Sequence, residues 1–133
     1  MSRRSVLLGA GMAAPLAAAA RSVPKLKITG LEIFVVKVNQ RGDWIFVRLK
    51  TDKGVTGLGE ASQGGGFTRA AADRNEAMRK ALGEFFELVR DQSPFEIERY
   101  RERGREKAKT GGRMTATAFC ALEQALWDLA GRA

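Results

Sequence analysis

Histidine is absent from the 133-residue sequence, and cysteine occurs once, at Cys120. A single cysteine cannot form a disulfide within the chain, and without histidine or a second thiol there is no set of zinc ligands. The absence of histidine also excludes a Ser-His-Asp triad and a Cys-His dyad within this chain. We expect Cys120, which falls beside an apolar helical stripe, to be a small buried hydrophobic residue.

Acidic residues are too few to balance the basic ones, and the net charge is +8. With Arg3 and Arg4 set aside, 21 basic residues against 15 acidic ones leave +6. Such an excess is found in nucleic-acid binders. From residue 99 to residue 109, however, basic residues recur at every second position, which spreads them over two arcs of a helix, and glutamates are interleaved. We therefore favour a solvated helix face and predict no nucleic-acid partner.

Long hydrophobic runs are absent except at the N-terminus, where residues 6–20 are apolar or small. These 15 residues fall short of the roughly 18 that a membrane-spanning helix requires. The preceding residues 2–8, SRRSVLL, resemble a twin-arginine export signal, and the alanines at 18–20 offer a cleavage site. We predict a signal peptide over residues 1–20, cleavage before Arg21 and a periplasmic location. An uncleaved N-terminus is the alternative.

Apolar and polar residues alternate along residues 26–38 and 43–51, which is typical of half-buried strands. Residues 52–54, Asp-Lys-Gly, predict a tight turn, because glycine adopts positive φ without strain. Residues 55–61 are the third predicted strand, and together the three predict an antiparallel meander. In the second strand one face carries Ile45, Val47 and Leu49, and the other carries Trp44, Phe46, Arg48 and Lys50.

Gly57 and Gly59 lie in the third predicted strand and invite comparison with a nucleotide-binding loop. The third glycine of that pattern is replaced by Ser62, and a run of glycines follows instead of a helix start. The two glycines instead favour a bulge or the close approach of another backbone.

Three segments have the apolar spacing of amphipathic helices. The first covers about residues 69–90. The second begins with a predicted capping box at residues 93–96, Ser-Pro-Phe-Glu, and reaches about residue 107. The third covers residues 114–132, where Gly131 is placed to end the helix in a left-handed conformation. The predicted fold class is therefore α+β, a three-stranded antiparallel meander followed by three helices.

Three motifs of the sequence occur in the order in which one enzyme family has them. Residues 44–61, WIFVRLKTDKGVTGLGEA, resemble a hairpin that ends in Gly-x-Gly-Glu-Ala. Residues 93–99, SPFEIER, resemble a helix start of the form Pro-Phe-x-Ile-Glu, and residues 121–133, ALEQALWDLAGRA, resemble a domain-closing segment. The chain thus resembles the N-terminal capping domain of the mandelate racemase/muconate lactonizing enzyme family of the enolase superfamily. We assign that domain to residues 21–133.

In that family a (β/α)₈ barrel follows the capping domain and carries the metal ligands and the acid–base residues. Such a barrel needs roughly 250 residues. The 133-residue chain is therefore expected to stop before the barrel. The resemblance implies that no catalytic residue and no metal ligand lies within this chain.

Two loops of the capping domain contact substrate and exclude water in the resembled family. They correspond here to residues 39–43 and 62–68. An arginine in such a loop can bind a carboxylate through two hydrogen bonds, and aromatic rings can exclude water. A plain surface turn is the alternative for the first loop. The substrate-contacting residues that the resemblance implies are Asn39, Arg41, Trp44, Gln63 and Phe67.

The resemblance implies abstraction of a proton α to a carboxylate, with Mg²⁺ stabilising the enediolate. The predicted hairpin is most similar to that of the family's sugar-acid dehydratases, such as galactonate dehydratase, with a racemase or cycloisomerase left open. For the complete enzyme we expect Mg²⁺, a carboxylate-bearing substrate, a barrel domain and a homo-oligomer. The chain alone is expected to be an inactive lid. The alternatives are a non-catalytic module that pairs with a separate barrel chain, and a small basic nucleic-acid binder.

The third predicted helix carries more apolar surface than a three-stranded sheet covers from one side. We therefore expect part of this surface to be exposed, and the isolated domain to be marginally stable and to associate through this helix. On that view Leu126→Glu would raise the solubility of the chain. The apolar residues concerned are Phe119, Leu122, Leu126, Trp127 and Leu129.

Overall fold

A computed structural model of the chain describes residues 22–39, 42–62 and 71–133, and the predicted signal peptide lies outside them. The described residues form a sheet followed by helices, and the α+β prediction is confirmed. The strands are β1 (Ile28–Asn39), β2 (Gly42–Thr51) and β3 (Thr56–Glu60), and the helices are α1 (Ala71–Phe86), α2 (Ile97–Thr110) and α3 (Gly112–Arg132).

The sheet is antiparallel and has the strand order β1-β2-β3, as the meander predicts. Val47 of β2 lies between Ile33 of β1 and Gly59 of β3. The turn between β2 and β3 is closed by Gly54, whose φ is 79°. The predicted alternation of β2 is confirmed, because Ile45, Val47 and Leu49 are buried on one face. This inner face carries the helices, and the opposite, outer face is open to solvent.

Helix α3 is the centre of the helical layer. It lies along β3 and β2, and both α1 and α2 pack against it. Alternating small and large residues let it approach the sheet closely, since Ala118, Ala121 and Ala125 are fully buried beside Leu122 and Leu129. The core therefore lies between the inner face of the sheet and all three helices.

The expectation that the stripe of α3 is partly exposed is wrong for four of its five residues. Leu122, Leu126 and Leu129 are at most 1% exposed and Phe119 is 9% exposed, whereas Trp127 is 56% exposed. The reason is that α1 and α2 cover the sides of α3 that the sheet does not reach. The stripe apart from Trp127 is thus part of the internal core.

The aromatic residues between the helices explain how the polar helix α2 is held in place. Tyr100 stacks on Phe119 with ring centroids 4.8 Å apart, and its hydroxyl donates a hydrogen bond to the Phe119 carbonyl oxygen at 2.8 Å. Burial raises the pKa of the Tyr100 hydroxyl well above its usual range. A Cβ at Gly104 would lie 2.5 Å from the Phe119 ring, so glycine is required for this contact.

The predicted end of the first helix is wrong, because hydrogen bonds after Phe86 draw the chain out of the helix. The first helix ends at Phe86 and not at Arg90, because the following residues make tighter turns. Asp91 has a φ of 61°, and its N–H donates to the Ile28 carbonyl oxygen at 2.9 Å. The Ile28 N–H donates in turn to Gln92, so this connection is fixed to the start of β1.

The predicted capping box does not form. Helix α2 begins at Ile97, and Glu96 occupies the cap position without a capping side-chain bond. The Glu96 carboxylate instead accepts a hydrogen bond from Arg99 at 2.8 Å. The predicted left-handed end at Gly131 is also wrong, because α3 continues through Arg132. Cys120 is exposed and not buried, since it lies on the side of α3 away from the core.

Candidate functional site

The two loops predicted to contact substrate, residues 39–43 and 62–68, both start at the same end of the sheet. Asn39 at the end of β1 pairs with Gly42 at the start of β2. The N–H of Ala61, which follows β3, donates to the Ile45 carbonyl oxygen near that same start at 2.8 Å. Because β2 is antiparallel to both of its neighbours, residues 40–41 and residues 63–70 are both attached here.

Two polar contacts fix this end of the sheet. The Ile45 N–H donates to the Ser62 hydroxyl oxygen at 3.0 Å, which holds the chain beyond β3 against β2. The Asn75 side-chain amide donates to the Asp43 carboxylate at 2.8 Å, which ties α1 to the start of β2. Each bond stabilises the fold by about 0.5–1.5 kcal/mol. The residues from which both segments extend are therefore held in fixed positions.

The structure brings two of the five predicted site residues to this end. Asn39 is exposed at the end of β1, and Trp44 is 51% exposed on the outer face of β2. The Trp44 ring meets the Phe46 ring edge-on, with centroids 6.3 Å apart. The remaining three predicted residues, Arg41, Gln63 and Phe67, lie outside the described residues.

Sequence reasoning missed the contribution of α1 to this end. Besides Asn75, the guanidinium of Arg74 comes within 3.8 Å of the position that a Cβ at Gly42 would occupy. The polar run Asp73-Arg74-Asn75 at the start of the predicted helix was the available signal. It points to a helix start that contacts other elements through polar side chains.

The position of β3 is set by its contact with α3. A Cβ at Gly57 would lie 2.1 Å from the Ala125 carbonyl oxygen, and one at Gly59 would lie 2.0 Å from that of Ala121. Real Cβ atoms are not found at such distances, so both positions require glycine. The predicted close approach of another backbone is therefore confirmed, and the other backbone is that of α3.

Side chains of α3 also accept hydrogen bonds from the edge of β3 that does not pair with β2. The Leu58 N–H donates to the Asp128 carboxylate at 2.8 Å, and the Glu60 N–H donates to the Gln124 side-chain oxygen at 3.1 Å. The hydrogen bond from Leu58, and then that from Arg132, lower the pKa of Asp128. Helix α3 therefore fixes both its own separation from β3 and the hydrogen bonding at the free edge of β3.

Metal-binding chemistry finds no support among the described residues. Over residues 22–39, 42–62 and 71–133, no three His, Cys, Asp or Glu side chains are grouped to hold an ion. Glu60 is exposed at the end of β3, and its backbone is held by α3. In the same part of the chain, no helix is long and apolar enough to cross a membrane.

A second surface feature lies away from this end, where α2 begins and α3 ends. It is an open, largely apolar groove of about 370 Å³. Phe95, Ile97, Trp127 and Ala130 supply its apolar lining, and the charged residues Glu96, Glu98 and Arg99 also line it. Among the described residues that line it there is no His, Cys or Ser, and most of its surface is apolar, so the groove resembles a contact surface more than a reaction site.

Comparison with protein families decides the ancestry of this fold. Residues 17–133 match the profile of the mandelate racemase/muconate lactonizing enzyme N-terminal domain. The chain belongs to this family. The sequence resemblance is thereby confirmed, and the end of the sheet described above belongs to an enolase-superfamily N-terminal domain.

Individual relatives agree with this assignment. The chain is 29% identical over 109 residues to a D-galactonate dehydratase of Variovorax paradoxus, covering 81% of this chain and 25% of the relative. A family member from Sulfitobacter superposes with a TM-score of 0.63 at 30% identity, covering 80% of this chain and 27% of that one. An enolase of Agrobacterium radiobacter, solved with Na and L-malate bound, gives a TM-score of 0.64 at 25% identity, covering 78% and 24%. The N-terminal domain thus spans about a quarter of the length of these proteins.

Proposed function

We propose that this chain is the capping domain of a Mg²⁺-dependent enzyme that dehydrates sugar acids by removing a proton α to a carboxylate. The observation that carries the proposal is the attachment of residues 40–41 and 63–70 at one end of the sheet. A capping domain needs two such segments side by side, because together they cover a substrate and exclude water. The galactonate dehydratase relative and the L-malate-bound enolase support a hydroxy acid as the substrate class.

Each described residue at this end has a definite part in the proposed lid. Trp44 supplies an aromatic wall, and its exposed ring excludes water from a bound sugar acid. Ser62 and Asp43 position the two segments through their bonds to Ile45 and Asn75. Arg41 pairs with the substrate carboxylate, and Asn39, Gln63 and Phe67 complete the contacts in this proposal.

Mg²⁺ in the complete enzyme would stabilise the enediolate that forms when the α proton leaves. The described residues do not provide a site for it. We therefore assign the metal ligands, the general base and the general acid to a barrel domain of the complete enzyme. The capping domain contributes substrate contacts and exclusion of water, and the chemistry belongs to its partner domain.

The proposal is tested on the complete enzyme, obtained from the gene that encodes this domain together with a barrel. Dehydration of a sugar acid yields a 2-keto-3-deoxy acid, which is measured with galactonate, galactarate and related acids in the presence of Mg²⁺. We expect Trp44→Ala to raise KM more than it lowers kcat, and Trp127→Ala, a substitution at an equally exposed tryptophan, to change neither. Exchange of the α proton without dehydration would replace the proposed dehydratase with a racemase.

We further propose that the protein is exported by the twin-arginine route and acts in the periplasm. The support is the pair Arg3-Arg4, the apolar run that follows it and the alanines at 18–20. N-terminal sequencing of the mature protein should begin at Arg21. An intact N-terminus on protein recovered from the periplasm would contradict cleavage, and retention in the cytoplasm of a strain with active export would contradict export.

A further inference from the structure

The start of helix α1 contacts the start of β2 through polar side chains. The Asn75 side-chain amide donates to the Asp43 carboxylate at 2.8 Å, and both side chains are half-buried. The Arg74 guanidinium, one residue earlier on the helix, comes within 3.8 Å of the position that a Cβ at Gly42 would occupy. Because Gly42 and Asp43 directly follow the first segment, residues 40–41, the helix reaches the place where this segment joins β2.

The second segment, residues 63–70, is bonded to the same strand end on both of its sides. Ser62 precedes it, and the Ser62 hydroxyl oxygen accepts the Ile45 N–H at 3.0 Å. Asn75 follows it near the start of α1 and bonds to Asp43, which lies on the same strand as Ile45. The start of β2 is therefore the common support of both segments.

The hydrogen bond between Asn75 and Asp43 adds to a helix that is already held by its core. Helix α1 packs chiefly on α3, and its side chains Met78, Leu82 and Phe85 are at most 1% exposed. A hydrogen bond to a carboxylate is roughly twice as strong as one between neutral groups. The bond therefore fixes where α1 begins relative to β2, whereas the apolar contacts with α3 hold the helix in the fold.

We propose that Asn75 is a positioning residue that couples the two segments. Through the Asp43 carboxylate it joins α1 to the residue between Gly42 and Trp44, so a displacement of one segment is transmitted to the other and to Trp44. The coupling is a property of the strand end, and its consequence for substrate binding rests on the function proposed above. A substrate that contacts both segments then binds to groups that are already in place.

The coupling is tested by amide hydrogen exchange, measured by NMR on the full 133-residue chain. Asn75→Ala does not remove either partner of the bond between the Ile45 N–H and the Ser62 hydroxyl. If the strand end opens as one unit, the substitution should nevertheless speed exchange at Ile45 about 10-fold. Val47, in the middle of β2, reports opening of the whole domain, and Ile45 should exchange faster than Val47 in both proteins.

A reciprocal exchange of the two side chains tests whether the pair itself carries the effect. Asn75→Asp places two carboxylates together and should speed exchange at Ile45 at least as much as Asn75→Ala does. Adding Asp43→Asn restores one amide and one carboxylate, and exchange should return to within about 3-fold of the wild-type rate. Glu76→Ala is the matched control, because it alters the neighbouring exposed residue of α1, and it should leave exchange at Ile45 unchanged.

The consequence for binding is measured in the complete enzyme, by dehydration of a sugar acid in the presence of Mg²⁺. Asn75→Ala should raise KM about 5-fold and lower kcat less than about 2-fold, and the double variant Asp43→Asn/Asn75→Asp should recover the wild-type KM. A residue with a merely structural role would reduce the amount of active enzyme, and hence kcat, and would leave KM unchanged. Glu76→Ala should change neither constant.

The outcomes separate this inference from the proposed function. Unchanged exchange at Ile45 in Asn75→Ala overturns the coupling, and so does an equal effect of Glu76→Ala. Faster exchange with an unchanged KM, or a raised KM that the double variant does not recover, overturns the positioning role. A wild-type enzyme that dehydrates no sugar acid overturns the proposed function instead, and exchange at Ile45 still decides the coupling.

Discussion

β3 and β1 are the two edge strands of the sheet, and they are protected in different ways. The outer N–H groups of β3 at Leu58 and Glu60 bond to Asp128 and Gln124 of α3. β1 is covered only at its start, where Ile28 bonds to the connection between α1 and α2. Within the described residues, its remaining length up to residue 38 has no backbone bond on its outer edge.

The difference follows from what the two strands contain. β3 has five residues, two of which are glycines that let α3 approach. β1 has twelve residues, with bulky side chains on both faces. Unpaired edges invite association with other chains. We conclude that the β3 edge fixes the candidate site, whereas the β1 side of the sheet is available for contact with a partner.

Leu126→Glu should have the largest effect, because it disrupts the packing of α3, the helix that covers the edge of β3. Leu126 is 1% exposed in α3, and a buried unpaired carboxylate costs several kcal/mol, at least about 4 kcal/mol here. The variant should be unfolded at 25 °C by circular dichroism. A soluble, folded variant would revive the expectation, stated from the sequence, that this side of α3 is exposed.

Gly59→Ala should have the next largest effect. The added methyl group meets the Ala121 carbonyl oxygen at 2.0 Å, so β3 and α3 must separate. We expect a loss of about 3 kcal/mol in the free energy of unfolding, measured with urea. Gly83→Ala in α1 is the control, since no atom lies within 4 Å of its added methyl group, and it should stabilise the chain by about 0.5–1 kcal/mol. Equal effects of both substitutions would contradict the close contact.

Asp128→Ala should uncover the edge of β3 without moving the strand. It removes the acceptor of the Leu58 N–H, and we expect a loss of about 1 kcal/mol together with faster amide exchange at Leu58. Asp128→Asn retains an acceptor oxygen and should lose less. Unchanged exchange at Leu58 in the alanine variant would mean that the carboxylate does not protect this edge.

The same carboxylate should make the covered edge sensitive to acid. The pKa of Asp128 is lowered in the folded chain, so its contribution is complete above its unfolded pKa of about 3.9 and is lost as the pH falls through the folded value. Between about pH 5 and pH 2 the wild type should therefore lose more stability than Asp128→Asn. Parallel pH profiles of the two proteins would contradict this linkage.

Val36→Thr, on the open side, should have the smallest effect. Val36 is 45% exposed on β1, and the change in the free energy of unfolding should lie within about 0.5 kcal/mol at protein concentrations too low for association. Val47→Thr is its buried counterpart on β2 and should cost about 1–3 kcal/mol. A large effect at Val36 would show that the outer face is covered within a single chain.

Much of the fold could be predicted from periodicity and turn chemistry. The alternation of Ile45, Val47 and Leu49 identified the inner face of the sheet, and the turn at residues 52–54 identified the hairpin. Helix ends were predicted less well. α1 ends at Phe86, and the chain beyond it bonds to Ile28. α2 begins at Ile97, and the Glu96 side chain bonds to Arg99 instead of completing a capping box.

The candidate site, too, could be predicted only in part from the sequence. The motif resemblance gave the two segments, and the structure places Asn39 and Trp44 at one end of the sheet. Their contact with a substrate stays a prediction. The bond between Asp43 and Asn75 joins residues 32 positions apart. No local pattern encodes such a pair, because the two residues meet only when α1 packs against the sheet.

The sequence by itself determined the elements, their order and the family, because period, turn residues and motifs are local properties. The tertiary structure alone decided which apolar residues are covered. The stripe of α3 became core because α1 and α2 close around it, while Phe34, Val36 and Trp44 stayed exposed because no described element packs on the outer face. Burial depends on what lies opposite a side chain, and a residue's neighbours in sequence do not specify that.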